Sequence, residues 1–522
     1  MKSFIRSLLE VATVLCALTL AGGALAAAPD ADVKTANGVL AGTTDAGTGV
    51  RSFKGIPYAQ PPIGNLRWRA PQPVRDWQGV RRADAFGPRA MQLPLFGDMV
   101  FRSTGMSEDC LYLNVWAPAA GRQRRPVLVY FFGGGFVAGD GSEPRYDGAG
   151  MARKGIVAVT VTFRLGVFGF LAHPALTRES ARHASGNYGL MDQSAALRWV
   201  QKNIAAFGGD PKRVTIAGES AGSYSVSAQM ASPWSRDLFA GAIGESGSLM
   251  GTRPMAPLAD AERRGAAFAA GLGASSLPAL RALPAAQVLG ATSGPHPPHF
   301  GAIVDGDFLP RPPAEAYAAG AQAHVPLLVG WNSQEQDAGG VLGKDLATPE
   351  NFAKALRTVF GDRADDAARL YPAFTDAQAD QSATALASDR FIAFSTWKWY
   401  DLHRRTGDKP VFRYFFARPR PGGSGAVHSG EIEYALGNLA TNTTYAWTPD
   451  DYKVSETMQD YFADFVKTGD PNGAGLPAWP AANRGFSEPI MRLDVNSRAE
   501  PETHRERYRF LDRFYFYEQP GE

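Results

Sequence analysis

The chain has 522 residues, 45% of them apolar, with 53 Lys and Arg against 51 Asp and Glu for a formal charge of +2. That balance excludes a disordered tail protein, a collagen-like repeat and a nucleic-acid binder working through a broad basic surface. With 57 Gly and 37 Pro the chain is loop-rich, and loops on a rigid scaffold are where binding sites usually sit.

The chain opens on Met1-Lys2-Ser3-Phe4-Ile5-Arg6, continues through an apolar stretch at 11–20 and reaches Ala24-Leu25-Ala26-Ala27. A basic start, a short apolar run and a small-x-small end mark a secretory leader. The run falls short of the roughly 20 residues that span a bilayer, and Glu10 limits it. The expectation is a leader over 1–26, cut near Ala26 or Ala27, with no stable membrane anchor. The mature protein is then exported, to the periplasm or the extracellular space. Cys16 falls in the leader, which leaves Cys110 without an intramolecular partner. Its setting, Glu108-Asp109-Cys110-Leu111-Tyr112, reads as entry into a strand rather than as a nucleophile.

Short strand-like pieces at 38–40 and 53–56 are broken by Pro57 and Pro61-Pro62. Near-continuous apolar runs at 111–116, 127–132 and 156–162 indicate strands covered on both faces. Ala196, Leu197, Val200 and Ile204 recur at helical spacing within 193–206, and Gly208-Gly209-Asp210-Pro211 stops that helix. A strand at 214–217 then runs straight into Gly218-Glu219-Ser220-Ala221-Gly222. Further on, 256–291 predicts helices, 325–330 a buried strand, 347–398 more helices and 411–417 a strand. The arginine-rich pieces at 122–125 and 418–421 predict solvated loops. With no internal repeat and no linker, residues 27–522 are expected to form one domain. Alternating strands and helices give an α/β class with a doubly wound sheet.

The pentapeptide at 218–222 fits G-x-S-x-G in the setting that gives it meaning, after a buried strand and before a small-residue stretch able to start a helix. Ser220 is therefore the candidate nucleophile. Gly244-Glu245-Ser246-Gly247-Ser248 lacks the second glycine, so Ser246 reads as a structural residue near the sheet end. A serine attacking a carbonyl creates an oxyanion, which needs backbone N–H donors. Gly133-Gly134-Gly135 follows the strand at 127–132. The N–H groups of Gly134, Gly135 and Ala221 are the expected donors.

Further segments are Phe53 to Ala59, Ser107 to Asn114, Asn187 to Gln193, Asn203 to Pro211 and Lys467 to Asn472, spread over nearly all of the chain. With the Ser220 pentapeptide they make the chain resemble the type-B carboxylesterase family, the cholinesterase-like branch of the α/β-hydrolases. The resemblance implies an α/β-hydrolase fold, in which a large, mostly parallel central sheet is flanked by helices and helical excursions. It also implies a serine esterase with an aromatic-lined gorge, a Ser-Glu-His triad and no cofactor or metal. Three departures stand out. Phe132 takes a place where many relatives have His. Gln334 and Gln336 flank Glu335 where Asp and Gly are commoner. Ala90 stands where relatives often carry a cysteine paired with the one at Cys110, so the intervening loop is expected to be unstapled and mobile.

Of eight histidines, His428 lies in Gly425-Ala426-Val427-His428-Ser429-Gly430 and matches the family's catalytic histidine. His173, His183, His324, His403 and His504 read as surface or packing residues. His296 and His299, separated by prolines, make a poor metal pair. Glu335 follows the strand at 325–330 and is in register with the family's acid, giving the chain order Ser, Glu, His. Asp337, Asp305 and Glu431 are its rivals.

The expected cycle has His428 deprotonate Ser220, which attacks an ester carbonyl; water then releases the acid from the acyl-enzyme. Activity would fall as pH drops through about 6.5, the ordinary imidazole value. Leu93, Leu95, Phe96, Met99 and Phe101 occupy the loop where cholinesterase relatives place a key Trp, which favours uncharged apolar or aromatic esters over choline esters. The partner is thus a small-molecule ester, not nucleic acid, and a monomer is plausible. The alternatives are a non-catalytic cholinesterase-like binding protein and a hydrolase specialised for amides or lipids.

Overall fold

The computed structural model describes residues 32–119, 121, 123–483 and 488–517. The expected leader, its cleavage site, Cys16 and Arg122 lie outside them. Among the described residues no helix is long and apolar enough to cross a membrane.

Eleven strands form the main sheet: β1 (Thr43–Thr44), β2 (Arg51–Pro57), β3 (Tyr112–Ala117), β4 (Arg125–Phe131), β5 (Val157–Val161), β6 (Gly209–Glu219), β7 (Gly241–Glu245), β8 (Leu327–Asn332), β9 (Val411–Phe416), β10 (Pro489–Leu493) and β11 (Arg498–Pro501). Their order across the sheet is β11-β10-β9-β8-β7-β6-β4-β5-β3-β2-β1. From β10 to β5 every neighbouring pair is parallel, and the outer strands at both edges run antiparallel. Strands Val33–Lys34, Val39–Ala41 and Val80–Arg82 form a separate small sheet.

The unbroken apolar runs find their reason here, since β5 and β8 are buried along their whole length and β3 and β4 at every residue but the first. Helices α1 (Tyr188–Asn203) and α2 (Ala221–Ala231) pack against this sheet. α1 begins five residues earlier than the apolar spacing indicated. Asn187 takes a left-handed turn (φ 49°) and fixes it by exchanging hydrogen bonds with the backbone of Ile303 at 2.9 and 3.0 Å. Asp192 then sits buried against Arg164 at 2.7 Å.

Two excursions stand above the parallel strands. The first, between β7 and β8, includes α3 (Leu258–Gly271). The second, between β8 and β9, includes α4 (Asp376–Ser388), a wide turn at Asp389–Ala393 and α5 (Phe394–Thr406). The reading of 418–421 as a solvated loop is corrected: Arg418 pairs with Asp451 at 2.6 Å and Arg420 with Glu433 at 2.5 Å, mostly covered. Charge partners brought from distant helices outweigh the local Pro-Arg pattern.

Candidate active site

In an open α/β sheet, ligands bind beyond the carboxyl ends of the parallel strands. β6 ends at Glu219 and α2 begins at Ala221, leaving Ser220 alone on the turn. Its φ of 55° and ψ of −120° put it in territory that costs a side-chain-bearing residue about 1–3 kcal/mol. The surroundings hold it there: its N–H donates to the Glu245 carbonyl at 2.9 Å, and its carbonyl accepts from Tyr224 N–H at 2.9 Å. A Cβ on Gly222 would lie 2.0 Å from the Phe131 carbonyl oxygen, so only glycine lets α2 start this close to β4.

The imidazole of His428 stands between two other groups. Nε2 is 3.0 Å from Ser220 Oγ and Nδ1 is 2.7 Å from Glu335 Oε2. Glu335 is buried, and its other oxygen accepts from Ser246 Oγ and from the Asn332 N–H, each at 2.6 Å. The His428 loop is tied to the Glu335 loop by Gln334 N–H on the Ala426 carbonyl at 2.9 Å and Asn332 Nδ2 on the Val427 carbonyl at 2.8 Å. Asp337 is exposed and caps the Gly339 N–H, while Asp305 accepts from the N–H groups of Asp307 and Leu309. Glu431 accepts from Asn332 Nδ2 at 2.5 Å and from Ser246 Oγ at 3.3 Å. None of the three rivals reaches His428 by a hydrogen bond.

Gly133 to Gly135 follow β4 and lie against the serine: a Cβ on Gly133 would come 3.2 Å from Ser220 Cβ. The turn is closed by Val137 and Ala138 N–H donating to the Gly134 carbonyl, both at 3.1 Å. Among the described residues, no group accepts a hydrogen bond from the N–H of Gly134, Gly135 or Ala221.

Four buried carboxyl groups, Glu219, Glu245, Glu335 and Glu431, share this end of the sheet. Glu219 lies 3.3 Å from His428 Nε2 and accepts from Ser429 Oγ at 2.6 Å. Burial opposes the imidazolium, but the Glu219 charge, the Glu335 hydrogen bond and the Glu335 and Glu431 charges outweigh it and push His428 up to about 9. Burial, reinforced by Glu219 and Glu335, pushes Glu431 up to about 8, and burial also raises Glu219 and Glu245. The ordinary imidazole value assumed from sequence is thereby corrected upward. A proton taken up by Glu219 or Glu431 removes part of the charge that holds His428 up, so these groups titrate together. The sequence offered Glu219 within the pentapeptide, but nothing in it placed Glu431 or Ser246 beside Glu335.

The Carboxylesterase family model matches residues 29–511. The chain is 36% identical over 456 residues to a fumonisin B1 esterase of Sphingopyxis macrogoltabida, covering 83% of this chain and 82% of that protein. It is 35% identical over 492 residues to the para-nitrobenzyl esterase of Bacillus subtilis, covering 91% and 97%. Against the cocaine esterase of Homo sapiens it is 33% identical over 511 residues, covering 88% and 86%. The chain belongs to the carboxylesterase family. It is a carboxylic ester hydrolase with the α/β-hydrolase fold.

Within this carboxylesterase, the residues that depart from the family pattern have structural reasons. Phe132 is buried and stacks on Phe163 with centroids 4.4 Å apart and planes 12° apart, so it floors the glycine loop as a packing residue. Gln334 pairs through its backbone with the His428 loop, and its side chain lies over Gly425. The 90–110 segment needs no disulfide and is not loose. Gln92 exchanges hydrogen bonds with Gly139 at 2.9 Å, Arg102 reaches Ser142 and Asp147, and Arg67 clasps Glu108. Polar contacts from the 139–147 stretch and from Arg67 tie the segment down in place of a covalent link.

A cavity of about 970 Å³ in this carboxylesterase is not lined by Ser220 or His428 themselves but reaches them through two neighbours. Tyr224, one helical turn past Ser220, and Phe391, whose ring meets His428 edge-on at 5.0 Å, form its near side, with Leu249 and Met255 adding apolar surface. Gln336, where relatives commonly have glycine, lines it too. Arg253, Arg264, Arg390 and His299 line the same cavity, a grouping that nothing in the sequence indicated.

Proposed function

We propose that this carboxylesterase works through an acyl-enzyme on Ser220, with His428 as the base, Glu335 as the group that orients it, and the N–H groups of Gly134, Gly135 and Ala221 as oxyanion donors. The observation that carries this reading is the continuous chain from Ser220 Oγ through His428 to Glu335, at 3.0 and 2.7 Å.

Neutral His428 takes the Ser220 proton through Nε2 as Oγ bonds to the ester carbonyl carbon. Negative charge moves to the carbonyl oxygen, where the three backbone donors receive it; each such donor is worth about 100- to 1000-fold in rate. The imidazolium, stabilised by Glu335 through Nδ1, then protonates the departing alcohol. Water repeats the sequence on the acyl-enzyme and frees the acid. The near side of the cavity suits an apolar or aromatic group next to the scissile bond. Choline esters are disfavoured, because the cavity presents guanidinium groups to a cation.

The same reading takes residues 27–522 as one catalytic unit, supported by the continuous apolar core that surrounds the main sheet. It also takes 1–26 as an export leader, which N-terminal sequencing of the mature protein checks. The direct test is labelling with a fluorophosphonate followed by peptide mass analysis. Modification at Ser220, lost in Ser220→Ala together with several orders of magnitude of kcat, is the expected result. A Ser220→Ala variant that turns over 4-nitrophenyl esters at the parent rate would end it. A non-catalytic binding protein would show neither labelling nor turnover.

A further inference from the structure

We propose that this enzyme prefers esters bearing an additional free carboxylate, held away from the scissile bond by Arg253, Arg264 and Arg390. The proposal rests on the serine-esterase reading above and names the substrate class of that same site.

The three arginines come from different parts of the chain and converge on one cavity. Arg253 belongs to the loop after β7, Arg264 to α3 and Arg390 to the wide turn between α4 and α5. Among the described residues, Arg253 and Arg264 have no ion-pair or hydrogen-bond partner, whereas Arg263, next along the same helix, is paired with Asp260 at 2.6 Å. Arg390 donates through Nε to Tyr515 Oη at 2.9 Å, which fixes its direction while leaving its charge unmatched. No described Asp or Glu lines the cavity.

Isolated surface arginines are ordinarily solvated and call for no explanation. Arg253 and Arg264 are exposed and Arg390 is half-buried, but three around one concavity with no acidic residue in its lining give it a positive potential that attracts an anion. Burial holds His299 below the ordinary imidazole value, and the Arg264 and Arg253 charges act in the same direction, so both face this neighbour in the cavity lining. A planar guanidinium matches a carboxylate with two parallel donors. The cavity is connected to the serine site: Arg390 directly precedes Phe391, whose ring meets His428 edge-on at 5.0 Å. An ester with its reacting carbonyl at Ser220 can thus extend past Phe391 into the cavity that the arginines line. This departs from the wholly uncharged ester that the sequence suggested, since the arginines lie outside every recognisable motif.

The test compares neutral and anionic esters of matched length in two pairs. One pair is 4-nitrophenyl hexanoate with 4-nitrophenyl hydrogen adipate, charged on the acid side. The other is the butyrate esters of hexanol and of ω-hydroxyhexanoate, charged on the alcohol side. In at least one pair the anionic ester is expected to have a kcat/KM about tenfold higher or more. That preference should shrink as salt rises from about 0.02 to 0.5 M. It should also fall about fivefold or more in Arg253→Gln/Arg264→Gln and in Arg390→Gln, while Arg263→Gln keeps it. Because the preference is a ratio taken within each variant, a general loss of activity cancels. Equal or lower kcat/KM for the anionic ester in both pairs, or a preference indifferent to all three arginines, overturns the proposal. Failure to hydrolyse any of the four esters, or to label Ser220, would instead defeat the esterase mechanism itself.

Discussion

Ser246 donates its hydroxyl to one oxygen of Glu335 at 2.6 Å, while the other oxygen of that carboxylate meets His428 at 2.7 Å. A serine that superficially resembles a second nucleophile is thus a brace for the acid, set in its own left-handed turn (φ 53°) one strand along from Ser220. Ser246→Ala removes one of two close donors to Glu335 and leaves the Asn332 N–H in place. A hydrogen bond to a charged group is worth about 1.5–3 kcal/mol, so kcat should fall about 10- to 100-fold with KM little changed. Steady-state kinetics decide it: a loss as deep as that of Ser220→Ala would make Ser246 more than a brace.

The pH profile should reflect the raised imidazole. The proposed mechanism needs neutral His428, so activity should be lost as pH falls, with a midpoint above 6.5 and toward 9. Glu219→Gln removes the carboxylate beside Nε2 and should move that midpoint to lower pH. Initial rates between about pH 5 and 10 check both expectations, against the ordinary value near 6.5. A profile centred at or below 6.5 in the parent would contradict the electrostatic account.

Stability should run the other way. A histidine raised in the folded state contributes stability in full below its unfolded value and loses it as pH climbs through the folded one. Glu431, also raised by burial, binds a proton in the folded chain that the unfolded chain has already released, so it adds to the same slope up to about pH 8. Melting temperature is therefore expected to drop as pH rises from about 6.5 to 9, and Glu431→Gln should flatten the drop. Calorimetry of the two proteins across that interval measures it.

Gly134 should tolerate no side chain. Its φ is 107°, and a Cβ there would lie 2.2 Å from the Ala138 carbonyl oxygen, the far side of the turn that presents the N–H groups. Gly134→Ala should cost about 100-fold or more in kcat/KM, the value of an oxyanion donor. The far-ultraviolet dichroism should be unchanged.

Cys110 should be inert in the folded protein. It is buried, and burial, helped by the Asp192 charge, pushes its thiol well up. Iodoacetamide at mildly alkaline pH should label it only after unfolding in urea, as read by intact mass. Labelling at native conditions would show that the 90–110 segment opens.

Much of the fold was legible because its signals are local. The apolar runs of β4, β5 and β8 announce burial on both faces, and the Ser220 turn needs only its own five residues and flanking elements. Glu335 and His428 were legible only through register with a family pattern, since 93 residues separate them along the chain. Ser246, Glu219 and Glu431 acquire their roles from strand order, which sets β6, β7 and β8 side by side. The start of α1 was missed because a side-chain bond to Ile303 sets it, over 116 residues of sequence separation. The solvated reading of Arg418 and Arg420 failed for the same reason, their partners arriving from other helices.

The two excursions above the sheet divide the labour of the molecule. Ser220, Ser246 and Glu335 follow adjacent strand ends, whereas the cavity's lining, Tyr224 apart, is supplied by chain that leaves the sheet after β7 and after β8 and later returns to it. On the proposed mechanism, selectivity can therefore drift, or be grafted, by exchanging those insertions as whole cassettes, while the residues assigned to bond cleavage are inherited untouched.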